Sequence, residues 1–504
     1  MENVKSNDGG FKLNYKRTML IGFAFFGILL LWQVYDSWCP TILSELFARA
    51  FYPEYVSLRQ VNSLEAIARC NEIVESNQYL VGIMMAIDNL AALILLPIFG
   101  RLSDKTRTPI GKRMPYILVG TAVCAITFPF IPVIFHTVAD PVGSIVGVVV
   151  LMAVVVIFSM MYRNPAVSLM PDMTPKPLRS RANGIINIMG YIGGAFATIV
   201  GVFFAISEYL GTKIDKETGL YAKHTVFFNN IWTIEIPFLV GSVLMIVSAI
   251  VLFLKVRENE IAAEMEEEMK RGEEYSATVD KVSEDKPLSK ANKIMLILIL
   301  AAEFFWFMAD NGIATFMVNY TVYFLGASSS DMMIATIVGG VGSVIGFAIG
   351  GMIAKRIGRK WTLFAGLGLT LASYIVWIIL TFGVGGLAGS GKIPLWIYFI
   401  WAIKGFGMSL VHVNSFPMVV ELCPSSKIGR YTGYYYASSM AAQTITPIAL
   451  GTLLLVPNIS WEYLPVYGGI CLIISAVIFF FVKNVKSQKV EIKTGFLESM
   501  DQDD

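Results

Sequence analysis

The chain of 504 residues is 55% hydrophobic and only 15% charged, against about 25% charge in ordinary soluble domains. That excludes a water-soluble globular class. A formal net charge of +2 gives no reason to expect a nucleic acid as partner.

Taken in chain order, apolar runs of spanning length predict twelve membrane helices, at 17–47, 78–100, 115–135, 143–170, 182–206, 229–255, 292–324, 329–354, 361–382, 394–421, 430–455 and 461–482. Several exceed the ~20 residues needed to cross, so tilt or extension beyond the bilayer is expected. The first run continues from Met19–Trp38 through Cys39 and Pro40 without a small-residue cleavage site. It reads as a retained span rather than a signal peptide. The five cysteines (Cys39, Cys70, Cys124, Cys423, Cys471) form no C-x-x-C pair. No metal or disulfide scaffold is expected, with a Cys39–Cys70 bridge left open.

Orientation follows from the Lys/Arg bias of the short loops. Loop 101–114 holds five (Arg101, Lys105, Arg107, Lys112, Arg113), loop 171–181 three, loop 355–360 four and loop 422–430 two. The intervening loops 136–142, 325–331, 383–393 and 456–464 hold one together, Lys392. The first set is expected to be cytoplasmic, with both termini, in a multi-pass protein of the cell membrane. Two longer outer loops, 48–77 and 207–228, carry three Lys/Arg each, balanced by acids. The middle loop, 256–290, has eleven acids against six bases and reads as a cytoplasmic helix or a solvated tether. The expected domains are therefore 1–255, an N-terminal six-helix bundle; 256–290, the linker; and 291–504, a C-terminal bundle with a cytoplasmic tail.

The sequence repeats itself. "DMTPKPLRSRANG" carries Asp172, Pro175, Arg181 and Gly184; "ELCPSSKIGRYTG" carries Glu421, Pro424, Arg430 and Gly433. Both read [DE]-x2-P-x5-R-x2-G. The joint Gly100–Arg113 is echoed in "GGMIAKRIGRK" by Gly351, Lys355, Gly358, Arg359 and Lys360. Two echoes offset by half the chain indicate duplicated halves, a parallel-repeat plan.

The 351–360 loop resembles the major facilitator motif G-x3-D-R-x-G-R-[KR], with Lys355 in place of the acid. The 100–113 copy keeps the acid, Asp104, but has extra residues before Gly111. That form, "SDKTRTPIGKRMPYI", resembles the glycoside–pentoside–hexuronide cation symporters, most of all their sucrose/proton symporter branch. The stretches 162–194 and 427–443 resemble that branch too. The resemblance implies an all-α membrane protein of twelve transmembrane helices in two six-helix pseudo-symmetric bundles. It also implies that helices 1, 4, 7 and 10 line a central cavity, and that Asp104 caps a helix of the opposite half. Charge-assisted pairing among Asp104, Lys112, Arg113, Asp172, Arg181, Glu421 and Arg430 would form a cytoplasmic gate; the plainer alternative is tight turns carrying positive-inside charge.

Ionisable groups within spans are costly and point to function. Helix 1 has Gln33 and Asp36, helix 2 Asp88 and Asn89, helix 4 Arg163, helix 7 Glu303, Asp310, Asn311 and Asn319, helix 10 Lys404 and His412, and helix 11 Gln443. Asp88 is the first choice for a proton-linked acid, then Asp36. Static ion pairing, such as Asp310 with Lys404, is the competing reading. Arg163 reads as a structural or gating charge rather than a ligand, and His412 as a proton shuttle or a packed, hydrogen-bonded ring. The melibiose-type relatives bind sodium through two carboxylates on helix 2; the equivalent places here hold Ala92 and Leu96, which favours protons over sodium. Trp32, Tyr35, Trp306 and Tyr320 offer ring faces for a sugar, or else interfacial belts and helix packing.

The expectation is therefore a secondary active transporter performing sugar–proton symport by alternating access. It works as a monomer in membrane lipid, without cofactor or metal. Rival readings are a proton-coupled exporter of drugs or other small solutes, and a sugar sensor that binds without flux. No G-x4-G-K-[ST] phosphate loop and no nucleophile–base pair argues for an enzyme.

Overall fold

The computed structural model describes residues 11–222, 234–280, 290–422 and 428–483. In chain order its helices are α1 (Tyr15–Phe51), α2 (Glu54–Val61), α3 (Leu64–Ser76), α4 (Gln78–Lys105), α5 (Met114–Thr127), α6 (Phe130–Thr137), α7 (Pro141–Asp172), α8 (Arg179–Phe203), α9 (Ile206–Leu210) and α10 (Glu235–Lys255). Then follow α11 (Glu258–Glu264), α12 (Glu266–Asp280), α13 (Lys290–Asn319), α14 (Ser329–Ile357), α15 (Arg359–Ile379), α16 (Leu395–Leu422), α17 (Ile428–Leu453) and α18 (Leu464–Phe480).

Helix is the solution available to an apolar chain in lipid, because it satisfies every backbone N–H and C=O within the segment. Among the described residues, eleven helical stretches are long and apolar enough to cross a membrane. The remaining long helix, α17, carries Tyr431, Tyr434, Ser438, Ser439, Gln443 and Thr444 among its apolar residues. Its polar face is needed inside, as shown below. Together they make the twelve-helix arrangement, α5 and α6 forming one span broken at Phe128–Pro129. The expected continuous helix over 115–135 is interrupted there, since a proline cannot supply the backbone N–H that would continue the ladder.

Capping follows local chemistry. The side chain of Asn14 accepts from the Arg17 amide at 3.1 Å, and that of Asp140 from the Gly143 amide at 2.7 Å with Pro141 in the first turn. These satisfy amides that have no partner within their own helix. The stretch 48–77, expected as an outer loop, is mostly helical. In α3 the residues Ile67, Cys70, Ile73 and Val74 are buried along one face, whereas Glu65 and Arg69 are exposed. That i, i+3, i+4 spacing makes an amphipathic helix. Cys39 and Cys70 are buried free thiols, so the bridge left open above does not form.

In the first bundle α1 packs against α7, α8 and α10. Its Trp38 meets Phe238 edge-on, and Phe238 meets Phe128 at 4.6 Å between ring centres. The second bundle has its own aromatic core, in which Trp377 contacts Tyr320, Tyr374 and Trp401. Val142, Val146, Val150 and Ile157 of α7 point outward and exposed, the surface expected where lipid replaces water. The bundles meet chiefly through α4 with α17, α8 with α14, and α1 with α13. At the α4–α17 crossing the Pro447 carbonyl lies where a Cβ on Gly82 would stand, so a glycine is required for that approach.

Candidate functional site

Between the bundles lies a cavity of about 330 Å³, at the lower end of the ~300–1,000 Å³ of small-molecule pockets. Helical periodicity supplies its walls. From α1 come Ile28, Leu29, Trp32 and Asp36; from α4, Met85, Asp88, Asn89 and Ala92; from α7, Met160 and Arg163. The second bundle gives Phe307, Asn311, Ala314 and Thr315 of α13, with Tyr435, Tyr436, Ser439, Met440, Gln443 and Pro447 of α17. Residues such as Trp32 and Asp36, or Phe307, Asn311 and Thr315, recur every four positions and so share a helix face. This explains the polarity of α17: its cavity-facing stripe cannot be apolar.

The chemistry is concentrated. Asp36 is open to the cavity, whereas Asp88 is 7% exposed and adjoins the buried Tyr35. Arg163 is the cation nearest Asp36 in electrostatic terms. Of the buried side-chain polar atoms without a hydrogen-bond partner among the described residues, three belong to residues of this lining: Trp32 Nε1, Asp88 Oδ2 and Asn311 Oδ1. They come from three helices and two bundles and line one chamber. Buried polar groups are rarely left unpaired, and a turn of these side chains toward the chamber would offer one donor and two acceptors. Asn89 donates to the Gln443 carbonyl at 3.5 Å, a weak link between the bundles at the chamber wall.

The other residues expected along the pathway lie elsewhere. Gln33 donates to Ser37 Oγ at 3.2 Å on its own helix. Asp310 pairs with Lys404 at 2.5 Å, tying α13 to α16 behind the wall. The His412 ring sits 5.3 Å from that of Phe307, on the far side of a lining residue. The expectation that helix 10 contributes to the lining is corrected: α4 and α17 line the chamber, and α16 does not.

Asn319 belongs to a seal on the face opposite the Lys/Arg-rich loops. Thr41 donates to its Oδ1 at 2.7 Å, and its Nδ2 donates to Ser44 Oγ at 2.9 Å and Gln78 Oε1 at 3.1 Å. One turn on, Tyr323 and Tyr55 both donate to Glu45 Oε1 at 2.9 Å. The Ser329 amide donates to Ser207 Oγ at 2.9 Å, and the Ile214 amide to the Gly326 carbonyl at 2.8 Å. All but the Tyr55 bond join the two bundles. Sequence reasoning missed this seal, although Glu45 inside the first apolar span was a signal for it.

On the basic-loop face the pattern differs. Arg113 pairs with Asp104 at 2.5 Å and with Asp172 at 2.9 Å, and Lys112 pairs with Asp172 at 3.0 Å. These bonds stay within the first bundle. Burial works against the charge of Arg113, but the hydrogen bonds and fields of Asp172 and Asp104 outweigh it and hold its pKa above the ordinary value. Asp104 is 59% exposed in its side chain and pairs with Arg113 of its own bundle; the residues just before α17, 423–427, lie outside the described residues. Arg181 is half-buried at the start of α8 and Arg430 exposed at the start of α17. Glu421 falls at the end of α16, where its side chain lies outside the described residues. The chamber lining reaches Tyr435, about two turns from the start of α17, so the cavity extends toward this face.

Three solved structures share this architecture. The chain is similar to the crystal structure of a D-xylose-proton symporter, with a TM-score of 0.62 and 14% identity, covering 94% of this chain and 99% of that one. It is similar to the inward open conformation of the xylose transporter XylE from E. coli, with a TM-score of 0.61 and 13% identity over 96% of this chain and 98% of that one. It also resembles a bacterial homolog of the human lysosomal transporter Spinster in an inward-facing and occupied conformation, at 0.60 and 14% over 95% and 100%. At such identities the likeness speaks to fold. No curated protein sequence matches the chain. A profile of the Major Facilitator Superfamily matches residues 72–380 and again 299–498. The twelve-helix architecture, the chamber between its bundles and that match together make the chain an integral membrane transporter that belongs to the Major Facilitator Superfamily.

Proposed function

We propose that the protein is a sugar–proton symporter of the cell membrane, working by alternating access, with its basic loops and both termini cytoplasmic. The observation that carries this reading is the convergence of Trp32, Asp36, Asp88, Asn89, Asn311 and Gln443, from both bundles, on one chamber. Sugar hydroxyls both donate and accept, and the ring faces of Trp32 and Tyr436 suit their C–H surfaces. The arrangement described here is then the inward-facing one, sealed outside by the Asn319 and Glu45 clusters. Asp88 is the leading proton-linked acid and Asp36 the second. A carboxyl whose hydration and neighbours change between two states changes its proton affinity. The absence of the paired helix-2 carboxylates at Ala92 and Leu96 supports protons over sodium, and the loop motif supports the glycoside branch with a disaccharide as substrate.

The test is uptake into proteoliposomes. Labelled sugar should accumulate under an imposed pH gradient, persist when choline replaces sodium, and fall to equilibration with a protonophore. Asp88→Asn should abolish accumulation while sugar counterflow continues. Sodium-dependent uptake overturns the proton reading, and absence of flux with sugar binding intact overturns transport.

A further inference from the structure

We propose that α11, within the stretch between the bundles, is a latch on the 106–114 joint, and that Glu258 is its positioning residue. The inference deepens the gating role read for that joint and rests on it.

Helix α5 has no capping side chain of its own, so the amides at its start need an acceptor from elsewhere. Glu258 provides it from far along the chain. Its Oε1 accepts from the Lys112 amide at 3.0 Å and the Arg113 amide at 3.1 Å. Its Oε2 accepts from the amides of Arg113 and Met114, both at 3.0 Å. The carboxylate is 4% exposed and sits at the positive end of the α5 dipole, where a negative charge is favoured. The next residue grips the other side of the loop: Asn259 Nδ2 donates to the carbonyls of Thr108 at 3.0 Å and Pro109 at 2.9 Å. Gly111 has φ +119°, and a Cβ there would collide with the Glu258 carboxylate.

What the latch holds is Arg113. Its backbone amide is fixed by Glu258, and its guanidinium by Asp104, Asp172 and Ser103. A second anchor keeps the segment in place. Helix α12 packs on the turn at Lys176–Leu178, and Arg271 lies over the ring of Phe11. Both anchors are to the first bundle. The segment between the bundles is thus part of the first bundle's gating surface rather than a passive tether. By keeping Arg113 on Asp104 and Asp172, it withholds those acids from the second bundle and favours the arrangement with the basic-loop face open.

The direct test is a distance measurement on purified full-length protein, with spin labels at Lys105→Cys and Tyr434→Cys in a background with the native cysteines replaced. Glu258→Ala should raise the population with the basic-loop ends of α4 and α17 together by about 5-fold or more. Glu258→Gln, which keeps one acceptor oxygen, should give a smaller rise, and Asn259→Ala a smaller one still. Asp104→Asn in the Glu258→Ala background should cancel the shift. A lowered melting temperature with unchanged distances would mean a merely structural cap and overturns the proposal, as does a shift toward the open ends. Should Glu258→Ala not fold, Glu258→Gln carries the same test. The readout needs no substrate, so failure of sugar uptake would leave it standing.

Discussion

The two faces of this transporter are built from different chemistry. Opposite the basic loops, the bundles are joined by buried neutral groups, Asn319 with Thr41, Ser44 and Gln78, and by Tyr323 on the single acid Glu45. On the basic-loop face the bonds are ion pairs, part exposed and confined to the first bundle. The first kind is dry and insensitive to salt. The second is screened, since exposed ion pairs are worth ~0–1 kcal/mol and fade with ionic strength. On the alternating-access reading proposed above, the protein has one stiff seal and one soft, adjustable joint.

The contrast can be broken most strongly at Asn319. Asn319→Ala removes three hydrogen bonds across the bundle interface and leaves Thr41, Ser44 and Gln78 short of partners. Each buried unsatisfied group costs about 1–3 kcal/mol. The population open on that face should rise by at least ~10-fold, read as alkylation of a cysteine placed at Thr315; unchanged alkylation would show that the cluster is not the seal. Tyr323→Phe removes one of the two bonds to Glu45 and should shift the same readout about 5-fold, for ~1 kcal/mol. Tyr55→Phe, a bond within one bundle, should do less, and equality of the two would argue against a cross-bundle role for Tyr323. The smallest effect is expected at Lys112. Lys112→Ala breaks a pair whose side chains are 40% and 25% exposed. It should change the distribution under ~3-fold at low salt and not at all in 1 M salt; a large, salt-resistant change would place this joint with the stiff seal.

Much of the architecture was legible because hydrocarbon imposes it. Runs of apolar residues have nowhere else to go, and the expected spans fall within a few residues of the observed helices, from α1 to α18, except that the start of 229–255 lies outside the described residues. The break at Pro129 and the helicity of 48–77 were written in local patterns too, and were passed over. The site was harder to read. Asp36, Asp88, Asn89, Asn311 and Gln443 stand out as polar residues in spans and do line the chamber. Gln33, Asp310, Asn319, Lys404 and His412 stand out equally in the sequence but do not line it; they are spent on a neighbouring serine, an ion pair, a seal and the back of an aromatic wall. Arg163, set aside as structural, faces the chamber, and the tyrosines of α17 were hidden in a span whose polarity carried no label.

Composition and periodicity alone determine that this chain crosses a membrane in repeated helices, since the cost of burying bare backbone or stray charge in lipid is paid locally, residue by residue. Whether a given buried amide or acid meets solute, a partner or a closed seam depends on how helices distant in the chain cross and rotate. Glu258 at the head of α5 and Trp32, Asp88 and Asn311 around one cavity are products of that packing. Hydrogen bonds act over ~3 Å, and only the tertiary structure brings groups from different helices within that reach.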